Sequence, residues 1–130
     1  MPLPSDRDTR NALPIWDGVV MYFPDVWAEI AKVSVLGNRQ HNLGDKLHFA
    51  RDISTDHLNK VFRHALDHAT GQQKDTDGTY HMAKVIWRAC AELQVTLEKE
   101  AAHALDSVSN DPIWRSAQTQ LSEHSDETIK

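Results

Sequence analysis

The sequence predicts an all-α protein, a small helical bundle with an antiparallel central helix pair, expected to assemble as a homo-oligomer. Three observations carry that expectation. Apolar residues recur at helical spacing in three separate segments. No segment alternates apolar and polar residues for long enough to form a strand; Val33-Ser34-Val35-Leu36 comes nearest, yet it continues a helical pattern. The two strongest helical segments are joined by a short turn rich in Asp and Gly, which favours antiparallel neighbours. Three helices bury little core by themselves, hence the expected self-association.

Residues 1–13 carry two prolines and the charges Asp6, Arg7, Asp8 and Arg10, and read as a flexible, extended arm. The apolar run from Pro14 to Phe23 fits either a short helix or a packed loop. Pro24 suits the first position of a helix whose apolar set is Val26, Trp27, Ile30 and Val33, with Gly37 as its stop and with Glu29 and Lys32 off the stripe. From Asn38 to Asp52 no period is sustained. Arg39, His41, Lys46, His48 and Arg51 gather there around Gly44 and Phe49, the composition of a functional loop.

Ser54 or Thr55 can cap a second helix, with Asp56 complementing its dipole. Leu58, Val61, Phe62, Ala65, Leu66 and Ala69 form its apolar face up to Gly71. At 100° per residue, His57, His64 and His68 lie within about 40° of one another along one margin of that face. An acidic turn follows, Lys74-Asp75-Thr76-Asp77-Gly78. Asp77 or Thr79 then caps a long third helix with Ala83, Val85, Ile86, Cys90, Leu93, Leu97, Ala101 and Leu105 at helical spacing. His81, Lys84, Arg88 and Glu92 form a polar stripe on its flank. Trp16, Trp27, Trp87 and Trp114 read mainly as core. The segment from Ser107 is polar apart from Ile113, Trp114 and Leu121 and reads as a short docked piece followed by a loose tail. The resulting division is an arm (1–13), a helical domain (14–106) and a polar tail (107–130).

Composition narrows the partners. A net charge of −5 on 130 residues argues against a nucleic-acid coat or a membrane-surface binder, both of which need a basic excess. The ligand is expected to be small or proteinaceous. No apolar run approaches a membrane span, and the first residues lack the pattern of a secretion signal, so the cytosol is the expected compartment. The single cysteine, Cys90, sits at an apolar helical position and reads as a buried, inert thiol.

Antiparallel packing of the second and third helices sets their polar stripes side by side. His64, Asp67 and His68 then approach His81 and Lys84, with Asp75 and Asp77 in the turn above. Carboxylates and imidazoles around one centre suit a divalent cation, Mg²⁺ or Mn²⁺, with imidazole favouring Mn²⁺ or another transition metal. Arg63, Lys84 and Arg88 add the positive charge that a polyphosphate requires. The expected metal ligands are Asp75, Asp77 and His81, helped by Asp67, His64 or Glu29. Two α-helical hydrolase signatures are missing. No His-Asp dipeptide occurs, which disfavours the HD phosphohydrolases, and the only partial match to the MazG carboxylate pattern is Glu123-His-Ser-Asp126 in the tail.

Ordered blocks between Gly37 and Glu98 carry a resemblance: Gly37-Asn-Arg-Gln-His41-Asn, Leu47-His48-Phe49-Ala50-Arg51, Ser54-Thr55-Asp56-His57, Arg63-His64-Ala65-Leu66-Asp67, Asp75-Thr76-Asp77-Gly78, His81 through Ala89, and Leu93-Gln94. Together they resemble the dATP/dGTP diphosphohydrolase N-terminal domain, a family common among bacteriophage proteins. The resemblance implies an α-helical, metal-dependent hydrolase releasing pyrophosphate from a purine deoxynucleoside triphosphate, in the cytoplasm of a phage-infected bacterium. The matching residues are His41, His48, Arg63, His64, Asp67, Asp75, Asp77, His81, Lys84 and Arg88. Two departures stand out: extra residues from Ala69 to Gln73 before the acidic turn, and Phe49 where tryptophan is expected. Two other functions fit the residues. The same cleft can capture a nucleotide or nucleotide-derived signal without cleaving it, as a phage protein blunting host defence would, or the histidines can line a subunit interface in a helical scaffold.

Overall fold

A computed structural model describes residues 4–109 and Ile113. Among these the chain forms five α-helices and one 3₁₀ turn: α1 (Arg7–Asn11), α2 (Ile15–Gly18), the 3₁₀ turn Val20–Tyr22, α3 (Pro24–His41), α4 (His57–Ala69) and α5 (His81–Ser109). The described residues contain no strand, only an isolated bridge between Lys74 and Tyr80. The all-α expectation holds.

Three details differ from the sequence reading and a fourth decides an alternative it left open, each for a local reason. The N-terminal arm contains a helical turn, α1, because Asp6 caps it: its carboxylate accepts from the Thr9 amide at 2.8 Å and the Thr9 hydroxyl at 2.6 Å. The Pro14–Phe23 run resolves into α2 and the 3₁₀ turn, and the Trp27 indole N–H donates to the Val20 carbonyl at 3.0 Å, fixing that turn against α3. Gly37 does not stop α3. Glycine ends a helix where it takes a left-handed φ, and Gly37 does not; the helix runs on to His41, and Gly44, with φ +88°, makes the turn instead. Asp56, rather than Ser54 or Thr55, precedes α4; Ser54 Oγ donates to the Asp56 carboxylate at 2.9 Å, and Lys60 closes on both residues.

The packing of α4 is the largest departure. His57 and His64 are buried, whereas Leu58, Phe62 and Leu66 are exposed, Phe62 to 71 %. The helix therefore presents its histidine margin inward and much of its apolar face outward, about a third of a turn from the orientation that amphipathicity implies. Within α5, Ala83 and Ala91 are buried. Cys90 is exposed, contrary to the buried thiol expected. Trp16 is exposed too, while Trp87 is half-buried and its indole N–H donates to Ser34 Oγ at 2.8 Å, tying α5 to α3. Trp114, Leu121 and Glu123–Asp126 lie outside the described residues.

The chain divides into two compact units, Pro2–Val95 and Thr96–Lys130 with Met1. Every residue of the site described below belongs to the first. No helix among the described residues is long and apolar enough to cross a membrane.

Candidate functional site

The connection from α4 to α5 is a tight hairpin. Gly71 and Gly78 take positive φ, +97° and +82°, conformations in which a side chain would be strained. The Asp75 amide donates to the Thr79 carbonyl at 2.8 Å, the Gly78 amide to the Asp75 carbonyl at 3.0 Å, and the His81 amide back to Gln73 at 2.9 Å. This network sets the two acidic side chains. One oxygen of Asp75 accepts from the Thr76 amide at 2.7 Å, and one oxygen of Asp77 accepts from the Thr79 amide at 3.0 Å and hydroxyl at 2.6 Å. The second oxygen of each turns to a common point, where Lys84 Nζ sits 2.7 Å from Asp75 and 2.8 Å from Asp77.

Beneath that ion triad lie two imidazoles. His64 Nδ1 and His81 Nδ1 are 2.8 Å apart, both rings are buried, and their planes are tilted by 35°. One of the two nitrogens must carry the shared proton. Asp67 lies on the far side of His81, its carboxylate 3.9 Å from Nε2. His64, Asp75 and His81 each offer a ligand atom, and these atoms lie within 4.8 Å of one another. Such a set can hold a divalent cation.

The triad opens into a cavity of about 780 Å³, a size usual for small-molecule sites. Its walls come from α3, the 42–56 segment, α4, the acidic turn and α5. His41, His48, Arg63, His64, Asp75, Asp77, Lys84 and Arg88 all line it. His81 and Asp67 stand behind His64, in contact with the cluster rather than on the cavity wall. Glu29 is not brought to the site: it points to Lys32, three residues along α3, at 2.7 Å and does not line the cavity. His68 is exposed.

Electrostatics divide the cavity. At the hairpin end, Lys84 and the Thr76 amide hold the Asp75 carboxyl below its ordinary value despite burial. Burial pushes the Asp77 carboxyl up, but hydrogen bonds from Lys84 and Thr79 outweigh it and leave Asp77 at about 2. Burial alone would lower the Lys84 ammonium, and the two carboxylates more than reverse that. Toward α4, burial and then the charges of Lys84 and Arg63 push His64 down, away from protonation. Burial and Arg88 do the same to His57. Arg88 reaches His57 Nδ1 at 3.4 Å, lies 5.2 Å from the centre of the Trp87 ring, and forms no ion pair among the described residues. A guanidinium half-withdrawn from water, with Asp56 acting on it only at a distance, favours an anion.

A family model, "dATP/dGTP diphosphohydrolase, N-terminal", matches residues 7–104. The chain belongs to this family. No curated protein and no solved structure matches it significantly. The dATP/dGTP diphosphohydrolase match begins about thirty residues before the first block legible by eye and takes in α1, α2 and the whole of α3. Sequence reasoning passed over three residues that this family member brings to the cavity: His57, Trp87 and Asn38. Buried Asn38 Oδ1 has no hydrogen-bond partner among the described residues, while its Nδ2 donates to the Asp45 carbonyl at 3.1 Å. His57 was detectable from its place on the histidine margin of α4. Asn38 carried no such signal, since an asparagine after a glycine reads as turn chemistry.

Proposed function

We propose that this chain is a metal-dependent diphosphohydrolase that releases pyrophosphate from purine deoxynucleoside triphosphates, with Mg²⁺ or Mn²⁺ as its cation. One observation carries the reading: a single cavity joins a carboxylate and imidazole cluster at the hairpin to the cationic side chains of Arg63, Lys84 and Arg88. A bound divalent ion would supply Lewis-acid polarisation of a phosphoryl oxygen and lower the pKa of its water. His64, Asp75 and His81, with Asp77 beside them in the hairpin, would hold the ion. Arg63 and Arg88 orient the phosphate chain and stabilise charge as the bond between the α and β phosphates breaks. Asp67 steadies His81 from behind. Water adds to the α-phosphorus, giving the nucleoside monophosphate and pyrophosphate.

The reading takes α4 and α5 as an antiparallel pair. Its support is the order of their contacts: His64 meets His81 while the earlier His57 meets the later Arg88. It also takes the chain as a homo-oligomer acting in the cytoplasm of a phage-infected bacterium, and the outward Leu58, Phe62 and Leu66 supply an apolar surface for a second copy. The test is pyrophosphate release from dATP and dGTP in Mg²⁺ and in Mn²⁺, with Arg88→Met as comparison. Turnover that falls at least about tenfold in the variant supports the assignment. No turnover of any nucleoside triphosphate with either metal refutes it.

A second reading rests on Lys84. With both aspartates already paired to one ammonium, the cavity is equally suited to capturing a nucleotide or nucleotide-derived signal without cleaving it. Calorimetric binding with the ligand recovered unchanged would select that reading.

A further inference from the structure

Lys84 holds a carboxylate that a metal ion at the histidine pair would need. Asp75 and Asp77 each commit one oxygen to the hairpin and aim the other at a shared point. That point holds the Lys84 ammonium at 2.7 and 2.8 Å, and the two imidazole Nδ1 atoms face each other close by. The ligand atoms of His64, Asp75 and His81 already lie within 4.8 Å of one another. Two imidazole nitrogens on one transition-metal ion sit about 3.3 Å apart, so the rings, now 2.8 Å apart, need to separate by only about half an ångström. His64, Asp75 and His81 thus offer three ligand atoms, and the carboxylate among them is held by Lys84, one turn beyond His81 on α5.

Charge counting gives this arrangement a direction. Two carboxylates and one ammonium together carry −1. Replacing the ammonium by a divalent ion brings the carboxylates and ion to zero. The displaced ammonium then stands in a cavity already lined by Arg63 and Arg88, and that excess of positive charge is matched by a polyphosphate.

We infer that Lys84 is an exchangeable internal counter-cation. A divalent transition-metal ion displaces it from Asp75 and Asp77 to bind between His64 and His81, and the freed ammonium turns to an anion in the cavity. Metal and anion then favour each other, since the anion gives the displaced lysine a new partner and the coupling is reciprocal. Two imidazoles in the shell select Mn²⁺ or Co²⁺ over Mg²⁺, which prefers oxygen ligands and retains its water. The inference rests on the proposed metal-dependent reading only for the anion's identity. The exchange itself is testable with metal alone.

The experiment is a Co²⁺ titration of the full chain without nucleotide, followed by the visible d–d absorption that reports imidazole ligation and by calorimetry. Lys84→Met is expected to bind Co²⁺ about tenfold more tightly than the natural chain, because the competing ammonium is gone. Lys84→Arg, which keeps a cation in place, is expected to show no such gain. His64→Ala in the Lys84→Met background should abolish the visible band. Far-UV circular dichroism confirms that each variant is folded, and Lys84→Gln replaces Lys84→Met if the latter is not. Equal or weaker Co²⁺ binding in a folded Lys84→Met or Lys84→Gln chain overturns the inference. So does a visible band that survives the loss of His64. Pyrophosphate release can fail while Lys84→Met still tightens Co²⁺ binding, so the two readings fall separately.

Discussion

Replacing Asp77 by asparagine tests the electrostatics of the hairpin without reference to any ligand. A carboxyl that titrates at about 2 rather than 3.8 holds its proton about 60-fold more weakly when the chain is folded. At about 1.4 kcal/mol per tenfold, that is about 2.5 kcal/mol of linked stability at neutral pH. Water reaches part of the side chain, which is 21 % exposed, and screening reduces the expected figure to about 1–1.5 kcal/mol. The sign follows from the depression. A carboxyl held below its unfolded value stabilises the fold above pH 3.8, and the contribution disappears as the pH falls from there toward about 2. Urea denaturation of both chains, taken from pH 7 to below pH 3, measures it. His57 and His64, whose lowered values also favour the folded state at higher pH, titrate in both chains and largely cancel in the difference. Asp77→Asn is expected to be less stable by about 1–1.5 kcal/mol at pH 7, with the gap closing as acid protonates Asp77 in the natural chain. A gap that stays constant across the range would refute the assignment of this stability to the Asp77 charge.

Ser34→Ala removes the acceptor of the Trp87 indole N–H and should cost about 1–2 kcal/mol, lowering Tm by a few degrees in thermal denaturation; an unchanged Tm would show that the bond between α3 and α5 contributes nothing. Phe62→Glu places a charge in the middle of the outward apolar stripe of α4. If the proposed self-association uses this face, sedimentation velocity should then shift toward the monomer, and an identical sedimentation coefficient would refute self-association through α4.

The three longest helices were legible because their spacing repeats over several turns, and the hairpin because Asp and Gly have few other uses at such a junction. The rotation of α4 was not legible. A hydrophobic pattern points to the inner face when burial decides the orientation, but here a cavity lined with imidazoles and cations takes the inner side, leaving Leu58, Phe62 and Leu66 outside. Cys90, at an apolar phase of α5, is exposed because it lines the same cavity. At the site, the proximity of His64, Asp75, His81 and Lys84 followed from an antiparallel reading of two helices. Glu29 failed because helical phase alone cannot distinguish a carboxylate facing a cleft from one satisfied by a lysine three residues along. Asn38 was invisible because its significance lies in a buried oxygen without a donor, a property of packing rather than of residue type.

The histidine pair, both aspartates and Lys84 all fall between positions 64 and 84. Bringing them together closes only a short loop, and short loops cost the chain little entropy and form early in folding. The histidine and aspartate corner of this protein is therefore a local product of its own hairpin, to which α3 and the 42–56 segment add the remaining walls.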